Sequence, residues 1–304
     1  MLRIVSRPGR FFLAALIAQG CGTALAQTPG DPPDQQKPVV WQPTSARIIE
    51  LFPAGDIYPV HVADPHRPTN SISEGFYVRN RVPDTRSPRT LLAAGGRFGI
   101  VRVGSSAPRG RYWQLGIDAG LDAMFDSQFK NDAIGWDGNY GLTLTTAAST
   151  SPLAFKVAVV HLSAHLGDEY EDRTCQALIN YTREEVALGG AWRFAPRWRA
   201  YGEVGAAYII RSDTQDRWRW QSGIEYEARP TLLGGRMAWY GASDFSSLEE
   251  RGWRLDTAVQ AGLVTRSSGR AYRLFAQWYD GRPAIGQFTS YSEASVSLGL
   301  KVDL

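Results

Sequence analysis

Hydrophobic and polar residues alternate one by one along most of the chain beyond residue 70. Between 112 and 125, Trp113, Leu115, Ile117, Ala119, Leu121, Ala123 and Phe125 fall on one side of an extended backbone. Gln114, Gly116, Asp118, Gly120 and Asp122 fall on the other. Period two is the signature of strands, because successive side chains point to opposite faces. The last residues repeat it, with Val296, Leu298, Leu300, Val302 and Leu304 set against Ser297, Gly299, Lys301 and Asp303. Segments of this kind, bounded by turn residues, fit 71–79, 91–103, 112–125, 135–148, 152–165, 176–194, 197–211, 216–229, 232–246, 252–266, 270–280 and 288–304. The pattern predicts twelve strands.

A soluble β-sandwich also alternates, but its apolar face turns inward. Here the polar faces carry many charges at regular positions: Asp118, Asp122, Arg199, Glu203, Arg219, Glu225, Arg236, Asp244, Arg254, Asp256 and Arg273. A transmembrane antiparallel β-barrel accommodates such faces by lining its lumen with them and turning the apolar faces to lipid. Twelve is even, as single-chain bacterial barrels require. With 71–79 running outward, the connections at 149–151, 195–196, 230–231 and 267–269 become short periplasmic turns. Those at 80–90, 126–134, 166–175 and 281–287 become longer external loops. Trp113, Trp136, Trp198, Trp218, Trp253 and Trp278 lie near strand ends on apolar faces, where interfacial girdles form.

Arg3, Arg7 and Arg10 precede the apolar run Phe11 to Ala18 and the small-residue site Ala24-Leu25-Ala26. Residues 1–26 read as an export signal; lipidation at Cys21 is the weaker alternative. Without them the chain has 30 basic and 30 acidic side chains, so its basic isoelectric point is no argument for nucleic acid. Cys175 is then the sole cysteine, which excludes an internal disulfide and a cysteine-based metal cage. Beyond the signal no apolar run is long enough for a membrane-crossing helix. Residues 27–70 form a proline-rich periplasmic arm, and Ser45 caps a short helix over 46–52 that docks at or inside the barrel mouth. Residues 71–304 form the barrel. The location is the outer membrane of a Gram-negative bacterium, and the partners are its lipids and the barrel-assembly machinery.

Chemistry is sought where polar residues gather. His161-x-Ser163 places an imidazole and a hydroxyl on one face of a strand, about 7 Å apart along it, the spacing at which a histidine activates a serine toward an ester. Asn180 falls opposite His161 if the hairpin is centred on 166–175, and would orient the ring. Whether the pair faces lipid or lumen is ambiguous, because Lys156 marks one parity as polar while Val160 and Leu162 share it. In the lumen-facing case, His161, Ser163 and His165 tie the loops together by hydrogen bonds. His165, Asp168, Glu169, Asp244, Glu249, Asp280 and Gln287 are expected to meet at the external mouth as a binding cluster. No cofactor or metal site is implied by motif; Ca²⁺ is the ion such carboxylates would take, although no contiguous calcium loop is present. His61 and His66, beside Pro59, Pro65 and Pro68, read as loop residues.

The segments LFPAGDIYPVHVADPHRP, HLSAHLGDEY, GIEYE and WYDGRPAIGQF resemble the bacterial domain-of-unknown-function family numbered 1207, from about Leu51 to the C-terminus. That resemblance implies an outer-membrane barrel and supplies no activity. The His-x-Ser pair is similar to that of outer-membrane phospholipase A and of lipid A deacylase, although Ala164 and His165 follow the serine where those enzymes have Asn. Two function classes result: a narrow or closed barrel with a polar external mouth, or a lipid or acyl-ester hydrolase using Ser163 and His161.

Overall fold

The computed structural model describes residues 48–67, 69–105, 110–179, 181–211 and 215–303. The proposed export signal, Ser45 and Asn180 lie outside them. Thirteen strands form one antiparallel sheet. They are β1 (Ile48–Leu51), β2 (Asn70–Arg79), β3 (Arg89–Gly104), β4 (Arg111–Asp126), β5 (Asp132–Ala148), β6 (Leu153–Leu166) and β7 (Thr182–Ala195). Then follow β8 (Trp198–Ile210), β9 (Trp218–Glu227), β10 (Met237–Leu248), β11 (Leu255–Ser267), β12 (Arg270–Gly281) and β13 (Glu293–Asp303).

From β2 to β13 each strand pairs with the next, and β13 pairs back onto β2, so these twelve close a barrel. Closure gives each of the twelve strands a neighbour on both sides, which a lipid-facing sheet needs because hydrocarbon offers no hydrogen-bond partner. Among the described residues no helix is long and apolar enough to cross a membrane. All twelve expected strands are present within a few residues. The largest shifts are at the start of β7, at Thr182 rather than 176, of β10, at Met237 rather than 232, and of β13, at Glu293 rather than 288. Helix α1 (Asp168–Thr174) occupies the long connection before β7.

Alternation sorts the two faces. On β6, Leu153, Phe155, Val157 and Val159 are exposed on the outside, whereas Ala154 and Ala158 are buried inside. The aromatic residues Trp113, Trp136, Trp198, Trp218, Trp253 and Trp278 are likewise on the exposed surface. The inner face carries ion pairs: Lys156–Glu203, Arg219–Glu185, Arg199–Glu225, Arg97–Asp118 and Arg273–Asp303 all lie within 2.7 Å. Arg236 and Arg254, expected in the lumen, are instead exposed in the connections flanking β10 and β11. They precede the strands whose alternation was extended to include them.

The expected helix over 46–52 is corrected where it is described: Ile48–Leu51 is β1, paired with Val101–Gly104 of β3 beyond the point where β2 ends. Ile48 and Ile49 are β-branched, and an unpaired stretch of β3 backbone offers a ladder that a lone short helix cannot match. From β1 the chain turns into the barrel. Tyr58 packs with Ala154, Ala191 and Tyr201, where alanines on the inner wall leave room for its ring. Arg199 donates to the carbonyls of Pro59 and Val60 at 2.8 and 2.6 Å. Val62 N–H donates to Glu225, and Lys301 donates to Val62 O. His61 and His66 are therefore no ordinary loop residues; His61 is buried and stacks on Tyr201 at 3.6 Å. Residues 56–67 of the arm plug the lumen, leaving a cavity of about 200 Å³ between them and the wall.

Candidate functional site on the outer face

His161 and Ser163 share the parity of Leu153 to Val159, so they lie on the outer face of β6. Their even-numbered neighbours Lys156, Val160 and Leu162 line the lumen cavity. The lumen-facing alternative is thereby corrected. Two cross-strand stacks frame the serine. Tyr140 of β5, 58% exposed, stacks on His161 with ring centroids 4.5 Å apart, and Trp136 stacks on His165 at 4.1 Å. Between these stacks, the residue opposite Ser163 is Gly138. A side chain there would start 3.6 Å from Ser163 Oγ, so the glycine leaves a notch in the outer wall with the serine on its floor. Thr182 of β7 lies opposite Ser163 on the other side.

The partner of His161 is Glu184. The two residues are directly opposite in the β6–β7 ladder, and Glu184 Oε1 lies 2.6 Å from His161 Nδ1. A carboxylate at Nδ1 fixes the tautomer, leaving Nε2 with the lone pair that a general base uses. Both side chains are about four-fifths buried by their neighbours although the face is outward, at 18% and 25% exposure. Among the described residues no hydrogen bond joins Ser163 to His161, and the two share only a face and a two-residue spacing. Unliganded sites are often loose in this way and tighten with substrate.

The other expected binding residues do not converge. Asp168 and Glu169 are exposed in the first turn of α1. Asp244 is deep in the lumen, 2% exposed, and accepts from Tyr201 and Gln221. Glu249 accepts from the backbone of Arg217 and Trp218, fastening one loop to another. Asp280 pairs with Arg79. Gln287 is structural: its Nε2 donates to the carbonyls of Ala164 and Ile179, and its Oε1 accepts from Ile179 N–H. Among the described residues, these carboxylates do not gather into one group at the mouth. Just beyond the strands, Tyr181 donates to Glu250 at 3.2 Å. Burial raises the phenol and the carboxyl above their usual ranges, and Arg183 opposes the rise at both.

Comparisons with known proteins agree with this architecture. A family model described as "Protein of unknown function (DUF1207)" matches residues 17–303. No curated protein matches the chain. Among solved structures, a calcium-bound dimer of outer membrane phospholipase from Salmonella typhi has a TM-score of 0.50 and 16% identity, over 78% of this chain and 90% of that one. Outer membrane phospholipase A from Escherichia coli gives 0.49 and 13%, with the same coverage. The NanC porin gives 0.42 and 10%, over 77% of this chain and 99% of its own. At these identities the likeness is one of fold.

Proposed function

The chain belongs to the protein family of unknown function DUF1207, and from that premise we propose that it is an acyl-ester hydrolase of the bacterial outer membrane, acting on lipid that reaches its outer wall. One observation carries the reading: Ser163 lies in a glycine notch on the lipid-facing surface, two residues from an imidazole whose far nitrogen is held by Glu184. An ester drawn from the surrounding lipid meets these groups without entering the barrel.

The chemistry follows from the roles the positions allow. Ser163 Oγ attacks the ester carbonyl while His161 Nε2 takes the hydroxyl proton, and Glu184 stabilises the imidazolium. Collapse breaks the ester C–O bond, the proton passes from His161 to the leaving alkoxide, and the acyl group stays on Ser163. Water, deprotonated by His161, then releases the fatty acid and restores the serine. The aromatic flanks Tyr140 and Trp136 suit acyl chains at the membrane interface. The plugged lumen supports the companion reading that the barrel is closed rather than conducting, since the arm is tied to several strands.

The test is acyl release from phospholipid and from lipid A in detergent micelles, with and without Ca²⁺, by refolded protein. Wild type is expected to release fatty acid, and Ser163→Ala and His161→Ala each to reduce the rate by about 10³-fold or more. Correctly folded wild type that releases no acyl chain from either lipid overturns the reading.

A further inference from the structure

The lumen plug holds a second constellation, independent of the outer-face site. His61 and Asp64, from the arm, meet Asp244 of β10, with one potential ligand atom from each lying within 4.8 Å of the others. The two carboxylates meet inside the lumen, Asp244 buried and Asp64 half-buried beside the cavity. Asp64 accepts from His66 N–H at 2.9 Å and from Gln221 Nε2 at 2.7 Å. Asp244 Oδ2 accepts from Tyr201 OH at 2.5 Å and from the same Gln221 nitrogen at 2.8 Å. All four hydrogen bonds come from neutral groups. The nearby cations have carboxylates of their own: Lys156 has Glu203, Arg199 has Glu225, Arg219 has Glu185 and Arg282 has Asp256. Arg67 adds positive potential at Asp64. Two carboxylates that share one donor in a lumen largely closed to water repel unless a cation or a proton sits between them.

The histidine separates these options. Glu203 Oε1 lies 3.2 Å from His61 Nε2. Tyr58 OH, which donates to the same Glu203 oxygen, lies 3.4 Å from that nitrogen. With the Nε2 proton turned toward this carboxylate, Nδ1 keeps its lone pair, and no hydrogen bond to it is present among the described residues. A carboxylate behind a ligating imidazole is the usual support of a metal-bound histidine, fixing its tautomer and orientation. The stack on Tyr201 at 3.6 Å holds the ring plane, and Tyr201 also donates to Asp244, so one tyrosine positions two members of the trio.

We propose that His61, Asp64 and Asp244 bind a divalent transition-metal ion of the Zn²⁺ type, which staples the arm to the barrel wall. One imidazole nitrogen and two carboxylate oxygens suit zinc better than calcium, which takes six to eight oxygens. Bonds of about 2.0–2.2 Å put ligand atoms roughly 3.3–3.6 Å apart in a tetrahedral site, so side-chain rotation of about an ångström closes the trio on the ion. The fourth position faces the lumen cavity, which His61 and Asp64 both line.

The experiment uses full-length protein refolded without metal and verified by its heat-modifiable migration. Zn²⁺, Mn²⁺ or Ca²⁺ is added separately, unbound ion is removed, and bound metal per chain is measured. One equivalent of Zn²⁺ is expected, with at least tenfold weaker binding in Asp64→Asn and in Asp244→Asn. Asp172→Asn, on α1, serves as the unaffected control. Co²⁺ added to wild type gives a second readout that needs no variant, the absorption bands of a four-coordinate site. Folded wild type without bound Zn²⁺, binding of Ca²⁺ in its place, or Zn²⁺ held equally by both Asn variants overturns the proposal. The first of these results assigns the Asp64–Asp244 contact to a shared proton. Acyl release by the same preparations is read separately, so failure of the metal site and failure of the hydrolase remain distinct.

Discussion

Gly138 and Glu184 decide what the outer face of β6 can do. A leucine at Gly138 projects over Ser163, because a Cβ there already lies 3.4 Å from the Trp136 ring and 3.6 Å from the serine oxygen. Neither is backbone, so the barrel tolerates the change while the notch is filled. Gly138→Leu is expected to leave heat-modifiability intact and to lower acyl release by about tenfold or more, chiefly through KM, in micelle kinetics. Glu184→Gln keeps a hydrogen-bonding side chain beside His161 but removes the charge that stabilises the imidazolium. It is expected to cut kcat by about 10²–10⁴-fold with KM little changed; an unchanged kcat would remove Glu184 from the mechanism. The sequence made His161 and Ser163 legible because an i, i+2 pair needs no knowledge of register. Glu184 was not legible. A hairpin centred on 166–175 selects Asn180, but α1 and the irregular residues after it displace the ladder so that Ser163 meets Thr182 and His161 meets Glu184. A cross-strand partner depends on loop structure, which alternation does not encode.

At the scale of elements, the twelve strands were readable because each repeats one two-residue rule, whereas the arm follows none. Its prolines suggested a linker, and its buried role rests on Tyr58, His61, Asp64 and His66 finding partners on strands far away in sequence. An aromatic and charged segment among prolines was the available signal. The arm's hold on the wall can be tested at Arg199, whose guanidinium serves Pro59 O, Val60 O and Glu225 together. Arg199→Ala leaves Glu225 buried without its cation, and removal of one member of such a pair costs about 3–5 kcal/mol. Urea unfolding in micelles, followed by tryptophan fluorescence, is expected to move to lower urea, and cleavage of the Ala63–Asp64 bond by endoproteinase Asp-N to accelerate. Cleavage at the wild-type rate would mean that the arm is held by other contacts.

For the whole molecule, closure rests on β13. Its residues pair on one side with Ala271–Gly281 of β12 and on the other with β2 from Asn70 to Arg79. Deleting Leu298–Leu304 strips partners from Asn70–Glu74 and from Ala271–Ala276, opening two edges at once. In hydrocarbon each unpaired backbone group costs several kcal/mol, so an open sheet of this length has no stable inserted state. The same deletion removes Lys301, which holds Val62 of the plug, and Asp303, which pairs with Arg273. Loss of closure and loss of the plug therefore need separating. Lys301→Met removes the plug contact and leaves the ladder intact; it is expected to insert and to migrate differently before and after heating. The deletion is expected to be absent from outer-membrane fractions and to migrate identically under both conditions. Normal insertion of the deleted chain would mean that β12 can close on β2 without β13, and the twelve-strand barrel would then be the wrong unit of assembly.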